Sequence, residues 1–309
     1  MAYTFKNIQD SVKRKMGASE TSGHLSDAVK RAINDAYLDI ATSHEWVWAQ
    51  DQYYFSTVDD LTEDDHSTLA VTDTGNVTLT GSNDGGGNSL EDNGVDDTWI
   101  VTDNAVQRPI SSVTGNAITL AAGWPDADDI TSYHIYKTQF KVAVGSARVN
   151  KFIGLYRYDG DDLLGIDQKA PTDFTPRFAM DTEGGEPFWW SVIRHSLLGE
   201  PYIALFPFPD DVYAMRVDYY RYPVALSADG DYPIVPERWH HVIEQGALAH
   251  LHQDFFHDVA QGARSDALFQ RSLARMVKES QVSNRVTCRM GRGHDRVSRL
   301  ERQMGWWNE

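Results

Sequence analysis

The chain has 309 residues, of which 41% are apolar and 24% charged, a composition typical of a soluble globular protein with one to three domains. Its formal net charge of −17 argues against a free nucleic-acid-binding protein, because phosphate contacts require lysine and arginine. The single cysteine, Cys288, excludes an intrachain disulfide bond and fits a reducing compartment. We expect neither a signal peptide nor a membrane helix, because no apolar run approaches the roughly 20 residues that a membrane helix needs.

Two helices are predicted near the N-terminus. Apolar residues recur every four positions between Phe5 and Met16, and Gly17 ends this first helix. Ser26 is the expected N-cap of the second helix. Its apolar residues follow at helical spacing: Val29, Ile33, Tyr37 and Ile40. Trp46 and Trp48 come directly after this helix, and we expect them to anchor a core rather than to bind a ligand.

Strands are predicted from Gln50 onward. Residues 73–137 form a distinct segment, rich in Thr, Val, Ile, Gly and Asp, in which short alternating runs are separated by turn residues. This pattern predicts a small antiparallel β-barrel or sandwich. We interpret the segment as an insertion, because strand-like sequence continues on both sides of it. Aromatic-rich strands, broken by glycine and proline turns, follow it up to residue 235.

The chain returns to helix at Pro236, a residue that suits a helix start. One helix is predicted to run to about Phe256 and another from about Gly262 to Gln281. The predicted apolar face of the last helix consists of Leu268, Leu273, Met276 and Val277. The order of elements predicts an α+β fold: a bundle of N- and C-terminal helices, an antiparallel β-sandwich region and an inserted small β-barrel.

Five histidines in the stretch from Glu237 to Asp258 raise the question of a metal site: His240, His241, His250, His252 and His257. A zinc ion needs ligands about 2 Å from one point, whereas the histidines that share a helix face are about 10 and 16 Å apart. We therefore predict no metal, and instead a packed helix with histidines at its edges.

Motifs of catalysis are missing from the sequence, which has no phosphate-binding loop, dinucleotide fingerprint, nucleophile elbow or zinc-protease signature. We predict that the protein is not an enzyme and binds no cofactor. Two alternatives remain open. Glu183 and Glu186 flank a Gly-Gly turn and could serve a cell-wall glycan hydrolase. Trp99 and Trp124 could stack on a glycan, although such residues more often fill the core of a small barrel.

Four segments follow one another in a recognisable order over residues 1–282. They are "LSDAVKRAINDAYLDIATSHEWVW", a helix that closes on tryptophans; the β-insert from "NVTLTG" to "SYHIYK"; strands joined by a P-x-P turn from "GEPFWWSVI" to "YYRYPVAL"; and "YPIVPERWHHVIEQGALAHLHQDFF", a helix with small central residues. This order resembles the head-to-tail adaptor, or connector, proteins of tailed bacteriophages, which stack on the portal ring. The Asp-rich β-insert and the basic C-terminal segment depart most from the family's pattern.

The resemblance implies a structural virion protein that forms a closed ring, usually of twelve copies, between the portal and a tail or tail-tube (nozzle) protein. It implies that double-stranded DNA passes through the lumen without specific binding, in the head–tail neck of a virion assembled in the host cytoplasm. Identical copies in a ring need a heterologous interface. The small residues Gly246, Ala247 and Ala249 would let helices approach closely, either in the core or between subunits. Another tail or baseplate protein remains an alternative.

The C-terminal segment is basic, with ten Lys and Arg against five Asp and Glu from Arg264 onward. We predict that residues 284–309 dock on the portal, with a solvated end as the alternative. The residues expected to carry this contact are five arginines and two tryptophans: Arg285, Arg289, Arg292, Arg296, Arg299, Trp306 and Trp307. The predicted domains are a helical bundle (1–50 with 236–282), a β-rich region (51–72 with 138–235), the inserted barrel (73–137) and a docking tail (283–309).

Overall fold

Helices at both ends of the chain and strands between them confirm the predicted α+β class. The computed structural model describes residues 3–17, 23–62, 69–71, 78–83, 88–103, 106–125, 130, 132–142, 148–160, 162–178, 184–195 and 200–280. The chain divides into a helical unit, residues 1–50 with 222–309, and a β unit, residues 51–221.

Five helices lie in the described residues: α1 (Phe5–Lys15), α2 (Gly23–Thr42), α3 (Pro171–Phe178), α4 (His240–His250) and α5 (259–280). A 3-10 turn, Glu237–Trp239, leads into α4, and a π-helical turn, Leu251–Phe255, follows it. Gly17 leaves α1 with a φ of 67°, a left-handed conformation that favours glycine. The predicted start and end of the first helix are therefore confirmed, and so is the helix that begins after Pro236.

Fourteen strands lie in the described residues, numbered in chain order: β1 (Gln50–Ser56), β2 (Leu61–Thr62), β3 (Ala70–Val71), β4 (Thr78–Thr80), β5 (Trp99–Thr102), β6 (Gln107–Thr114), β7 (Ala117–Leu120), β8 (His134–Lys137), β9 (Gln139–Lys141), β10 (Arg148–Asp159), β11 (Asp162–Gln168), β12 (Trp189–His195), β13 (Pro201–Phe206) and β14 (Ala214–Tyr222). They form two seven-stranded sheets, each curled into a half-barrel. Both sheets belong to the β unit.

The core of the helical unit is built on α2. Its predicted apolar residues are all buried: Val29, Ile33, Tyr37 and Ile40. Trp46 is buried as well, and its indole N–H donates to the carbonyl of Ile40 at 2.7 Å. Trp48 stacks on Trp46 with 5.5 Å between ring centroids. The tryptophans therefore anchor this core, as the sequence predicts.

The predicted cap of α2 is wrong. Ser26 lies inside the helix, which already includes Gly23. Its hydroxyl instead accepts a hydrogen bond from Lys13 Nζ of α1 at 3.5 Å. A serine ahead of an apolar pattern resembles a cap in sequence, but here its partner comes from a neighbouring helix.

The predicted inner face of α5 is wrong at one position. Leu268 is 49% exposed, whereas its neighbour Phe269 is buried. Gly262, Phe269 and Met276 are seven residues apart and form the buried face, to which Leu273 and Val277 add partly buried side chains. Leu268 lies about 100° away from Phe269 around the helix and so faces solvent.

The first sheet has the strand order β1-β14-β10-β11-β12-β13-β9. The β11–β12 pair is parallel, whereas β10–β11, β12–β13 and β13–β9 are antiparallel. Alternate residues of β14 point inward, because strand side chains alternate between faces. Trp190 of β12 is buried in this core, and its indole N–H donates to the carbonyl of Ile166 at 3.1 Å.

The second sheet has the order β2-β8-β5-β6-β7-β4-β3 and takes all its strands from residues 61–137. Its strand pairs are antiparallel. It packs around its own apolar cluster, which includes Trp99, Trp124 and Tyr133. The segment predicted as a small barrel or sandwich thus forms a half-barrel with its own core.

Candidate functional site

The net charge of the chain is concentrated in one unit. Residues 51–221 hold 28 of the 45 Asp and Glu and 11 of the 28 Lys and Arg, so the β unit carries a net charge of −17. The rest of the chain holds 17 residues of each sign and is neutral overall. The β unit should therefore repel phosphate and attract basic partners.

Four aspartates form an acidic corner of the β unit: Asp59, Asp60, Asp210 and Asp211. Tyr213 Oη donates to Asp210 at 2.7 Å, and burial together with this bond raises the pKa of Tyr213 to about 12. Burial, and then the charges of Asp60 and Asp211, raises the pKa of Asp59. His134 Nδ1 lies 2.5 Å from Asp60 Oδ2. Like charges are therefore crowded at this corner, and a nearby cation would stabilise them.

The helical unit contains a buried carboxylate that joins α1 to α4. Glu244 of α4 is 4% exposed, and it accepts hydrogen bonds from Tyr3 Oη at 2.5 Å and from Lys15 Nζ. Burial acts to raise the pKa of Glu244, but the bonds from Lys15, Tyr3 and Ser11 outweigh it and lower the pKa below the ordinary value of 4.5. The carboxylate stays ionised and holds the N-terminal helix in place.

We expect Glu244→Gln to lower the free energy of unfolding by about 1–2 kcal/mol at pH 7, since Lys15 is half-exposed and its charge is screened. The folded pKa of Glu244 is lowered, so its contribution is complete above the unfolded pKa and is lost as pH falls through the folded pKa. The difference between wild type and variant should therefore shrink below about pH 4.5 in urea unfolding. Glu237→Gln, at an exposed carboxylate, is the control. A difference that stays constant from pH 7 to 3 would contradict this role.

The prediction that the histidines lie at the edges of the helix is wrong for His240. This side chain is 6% exposed, and its Nε2–H donates to the carbonyl of Val235 at 2.8 Å. Burial lowers the pKa of His240, so the ring is neutral at pH 7. The ring of Tyr3 packs on it at 5.5 Å. His240 is buried because Val235, just before the 3-10 turn, supplies its acceptor and Tyr3, just before α1, covers its ring.

The other histidines of this stretch have separate surroundings. His250 Nε2 lies 3.1 Å from Asp39 Oδ2, and His241 Nδ1 lies 3.0 Å from the carbonyl of Arg238. The ring of His252 packs beside Phe256 at 6.0 Å. Across the ranges that the structure describes, no three His, Cys, Asp or Glu side chains form a group that could hold a metal ion.

The small residues of α4 lie in the core of their own chain. A Cβ added at Gly246 would come 2.8 Å from Ala36 Cβ of α2 and 3.0 Å from Phe269 Cε2 of α5. Ala247 and Ala249 are buried as well. Of the two roles that the sequence left open for these residues, close packing inside the helical unit is the one that this geometry supports.

The residues of the two alternative functions are placed as follows. Trp99 and Trp124 are 2% and 1% exposed in the core of the second sheet, so neither indole can stack on a sugar in this conformation. Glu186 is exposed and forms an ion pair with buried Arg157. Glu183 lies outside the described residues. The carboxylate pair of the hydrolase alternative is therefore not tested by the described residues.

All residues of the predicted docking tail lie outside the described residues, which end at 280: Arg285, Arg289, Arg292, Arg296, Arg299, Trp306 and Trp307. Their role stays a prediction.

Sequence reasoning missed two features of the helical unit. The bonds of Glu244 to Tyr3 and Lys15 join residues more than 200 positions apart, and no local pattern signals them. Exposed arginines on α5 also went unnoticed: Arg264, Arg271 and Arg275. Their spacing of seven and four residues was a helical signal that the sequence offered.

None of the described helices is long and apolar enough to cross a membrane. A search of curated proteins finds no match to the chain. The family model described as SU10 adaptor protein matches residues 107–293. This match spans the second sheet from β6, the later strands of the first sheet, and α4 and α5. Because the match covers more than half of the 309 residues, the chain belongs to the SU10 adaptor protein family, whose members are structural adaptor proteins of bacteriophages.

Proposed function

We propose that this phage adaptor forms a closed ring, of twelve copies, that joins the portal to the tail and surrounds the DNA exit channel in the neck of the virion. The match to the adaptor family is the observation that carries the proposal. Family membership implies a structural virion component that binds other virion proteins, and it supports a role without catalysis. Our proposal adds the portal and the tail or tail-tube protein as partners, the number of copies in the ring, and assembly in the host cytoplasm.

The uneven distribution of charge supports a role beside DNA. A unit with a net charge of −17 repels phosphate, so DNA that passes it would slide rather than bind. The helical unit has no net charge, so its surface differs from that of the acidic β unit. A contact between two unlike surfaces of identical copies can close into a ring by rotation. We also keep the four-part organisation, with residues 73–137 as an insertion and residues 283–309 as a tail, as part of this proposal.

The ring is tested by mixing the purified chain with the portal protein encoded in the same phage genome. Mass photometry should show a complex that contains one portal and about twelve copies of the chain, and negative-stain images should show a stacked ring. The chain without portal is the control, because we expect the portal to act as the template for assembly. A chain that stays monomeric beside an intact portal would overturn the proposal.

The tail is tested by deleting residues 284–309. Six arginines, five of them predicted contact residues, and two tryptophans leave with this segment, and both residue types are enriched at interface hot spots. We expect portal affinity, measured by sedimentation of the chain with portal, to fall by more than tenfold. A matched full-length variant in which the five arginines are replaced by lysine should keep most of the affinity. Unchanged binding of the truncated chain would remove the tail from the portal contact.

A further inference from the structure

The exposed side of α5 combines a row of arginines with small apolar residues. At about 100° per residue, its arginines and small apolar residues between 259 and 275 lie within a sector of about 160°. We call these residues the arginine face, and all of them are exposed: Val259, Ala260, Ala263, Arg264, Ala267, Arg271, Ala274 and Arg275. The opposite side, with Phe269 and Met276, is buried in the helical unit.

The three arginines of this face have no carboxylate partner in the described part of the chain. The ion pair on α5 joins Arg238 to Glu279 at 3.0 Å, and Asp266 accepts a bond from Gln270. Among the described residues, the positive charges of Arg264, Arg271 and Arg275 are therefore available to an external partner. Small residues beside them would let another surface approach the helix closely.

Two copies of this chain repel each other through their β units, each with a net charge of −17. A ring must therefore bring unlike surfaces together, and the arginine face is a cationic surface on the neutral unit. We propose that the arginine face of α5 binds the acidic β unit of a second copy, as one side of the ring contact. This inference rests on the proposed ring. Contact between unlike surfaces is heterologous, the type that closes into a ring.

Charge complementarity favours a second copy over DNA as the occupant of this face. Binding to DNA without sequence specificity depends on many lysine and arginine contacts to phosphates. The arginine face has three arginines, and the unit that carries it has no net charge. The β unit, with a net charge of −17, supplies a surface rich in carboxylates that attracts the arginine cations.

The experiment compares three full-length chains, each mixed with the portal protein of the same phage genome at about 0.1 M salt. They are the wild type, a variant with Arg264→Glu, Arg271→Glu and Arg275→Glu, and a variant with lysine at the same three positions. Assembly is read as the chain concentration at half-maximal ring formation in mass photometry. We expect this concentration to rise more than tenfold for the glutamate variant, and by less than threefold for the lysine variant.

A mixing arm tests the direction of the contact. The glutamate variant keeps its own β unit, so a wild-type arginine face can still bind it. The glutamate variant should therefore join a growing ring but bind no further copy through its own α5. An equal mixture with wild type should then yield fewer closed rings than wild type alone. Circular dichroism melting should be the same for all three chains, because the substituted side chains are exposed.

Any of the following outcomes would overturn the inference. Normal rings from the glutamate variant would remove the arginine face from the contact and leave the proposed function standing. A lysine variant as defective as the glutamate variant would exclude a charge-based contact. Normal rings together with lost retention of double-stranded DNA on a filter would assign the face to DNA. Failure of the wild type itself to form rings on portal would overturn the proposed function, and this inference with it.

Discussion

Replacing Trp99 with alanine is expected to lower the free energy of unfolding of the β unit by about 3–5 kcal/mol. The side chain is 2% exposed in the core of the second sheet, and the ammonium of Lys137 lies 5.7 Å from its ring. The large loss follows from the cavity that truncation leaves in a small sheet with its own apolar cluster. Urea unfolding followed by near-ultraviolet circular dichroism measures this loss.

Tyr54→Ala is the matched control, because Tyr54 is an aromatic residue of the first sheet that is 57% exposed. We expect this variant to lose less than about 1 kcal/mol. The result also separates a structural role of Trp99 from the glycan-binding alternative. Unchanged stability of Trp99→Ala, together with loss of binding to a glycan array, would contradict the core role.

Replacing Gly246 with alanine is expected to destabilise the helical unit by about 1–3 kcal/mol. Alanine favours a helix over glycine by about 1 kcal/mol, so propensity alone predicts the opposite sign. The added Cβ would lie 2.8 Å from Ala36 Cβ, a distance that real Cβ atoms essentially never show, and a tight 3.0 Å from Phe269 Cε2. Three helices would have to separate, and a thermal melt by circular dichroism should show the loss.

Gly230→Ala is the control for this substitution, because a Cβ there meets open space. A Gly246→Ala variant that melts at or above the wild-type temperature would show that the helices can move apart without cost. Portal assembly of the same variant below its melting temperature addresses the other role of this residue. Normal ring formation is expected if Gly246 acts in the core, whereas a stable variant that fails to assemble would assign it to the subunit contact.

Local sequence patterns correctly predicted the helices and strands that depend on residues close together in the chain. The apolar spacing of α2, the glycine stop after α1 and the short alternating runs of the second sheet each depend on contacts within a few residues. The wrong predictions concern residues whose contacts come from a distant part of the chain. Ser26 binds Lys13 of another helix, and His240 is covered by Tyr3.

The choice between Leu268 and Phe269 illustrates a second limit. Both are large and apolar, and a window of helical spacing accommodates either of them. The structure selects Phe269 because Gly246 of α4 leaves room for its ring, a complementarity between two helices that single-sequence periodicity does not contain. The interaction surfaces are harder still to predict, since the arginine face becomes visible only when the buried side of α5 is known.

The most direct test of the ring at the head–tail junction is a cryo-electron microscopy reconstruction of the neck of virions that contain this chain. We predict a single ring of twelve copies between portal and tail, with the β unit of each copy beside α5 of the next. A neck map without density for this chain, or with the chain as isolated monomers elsewhere on the virion, would contradict the proposal.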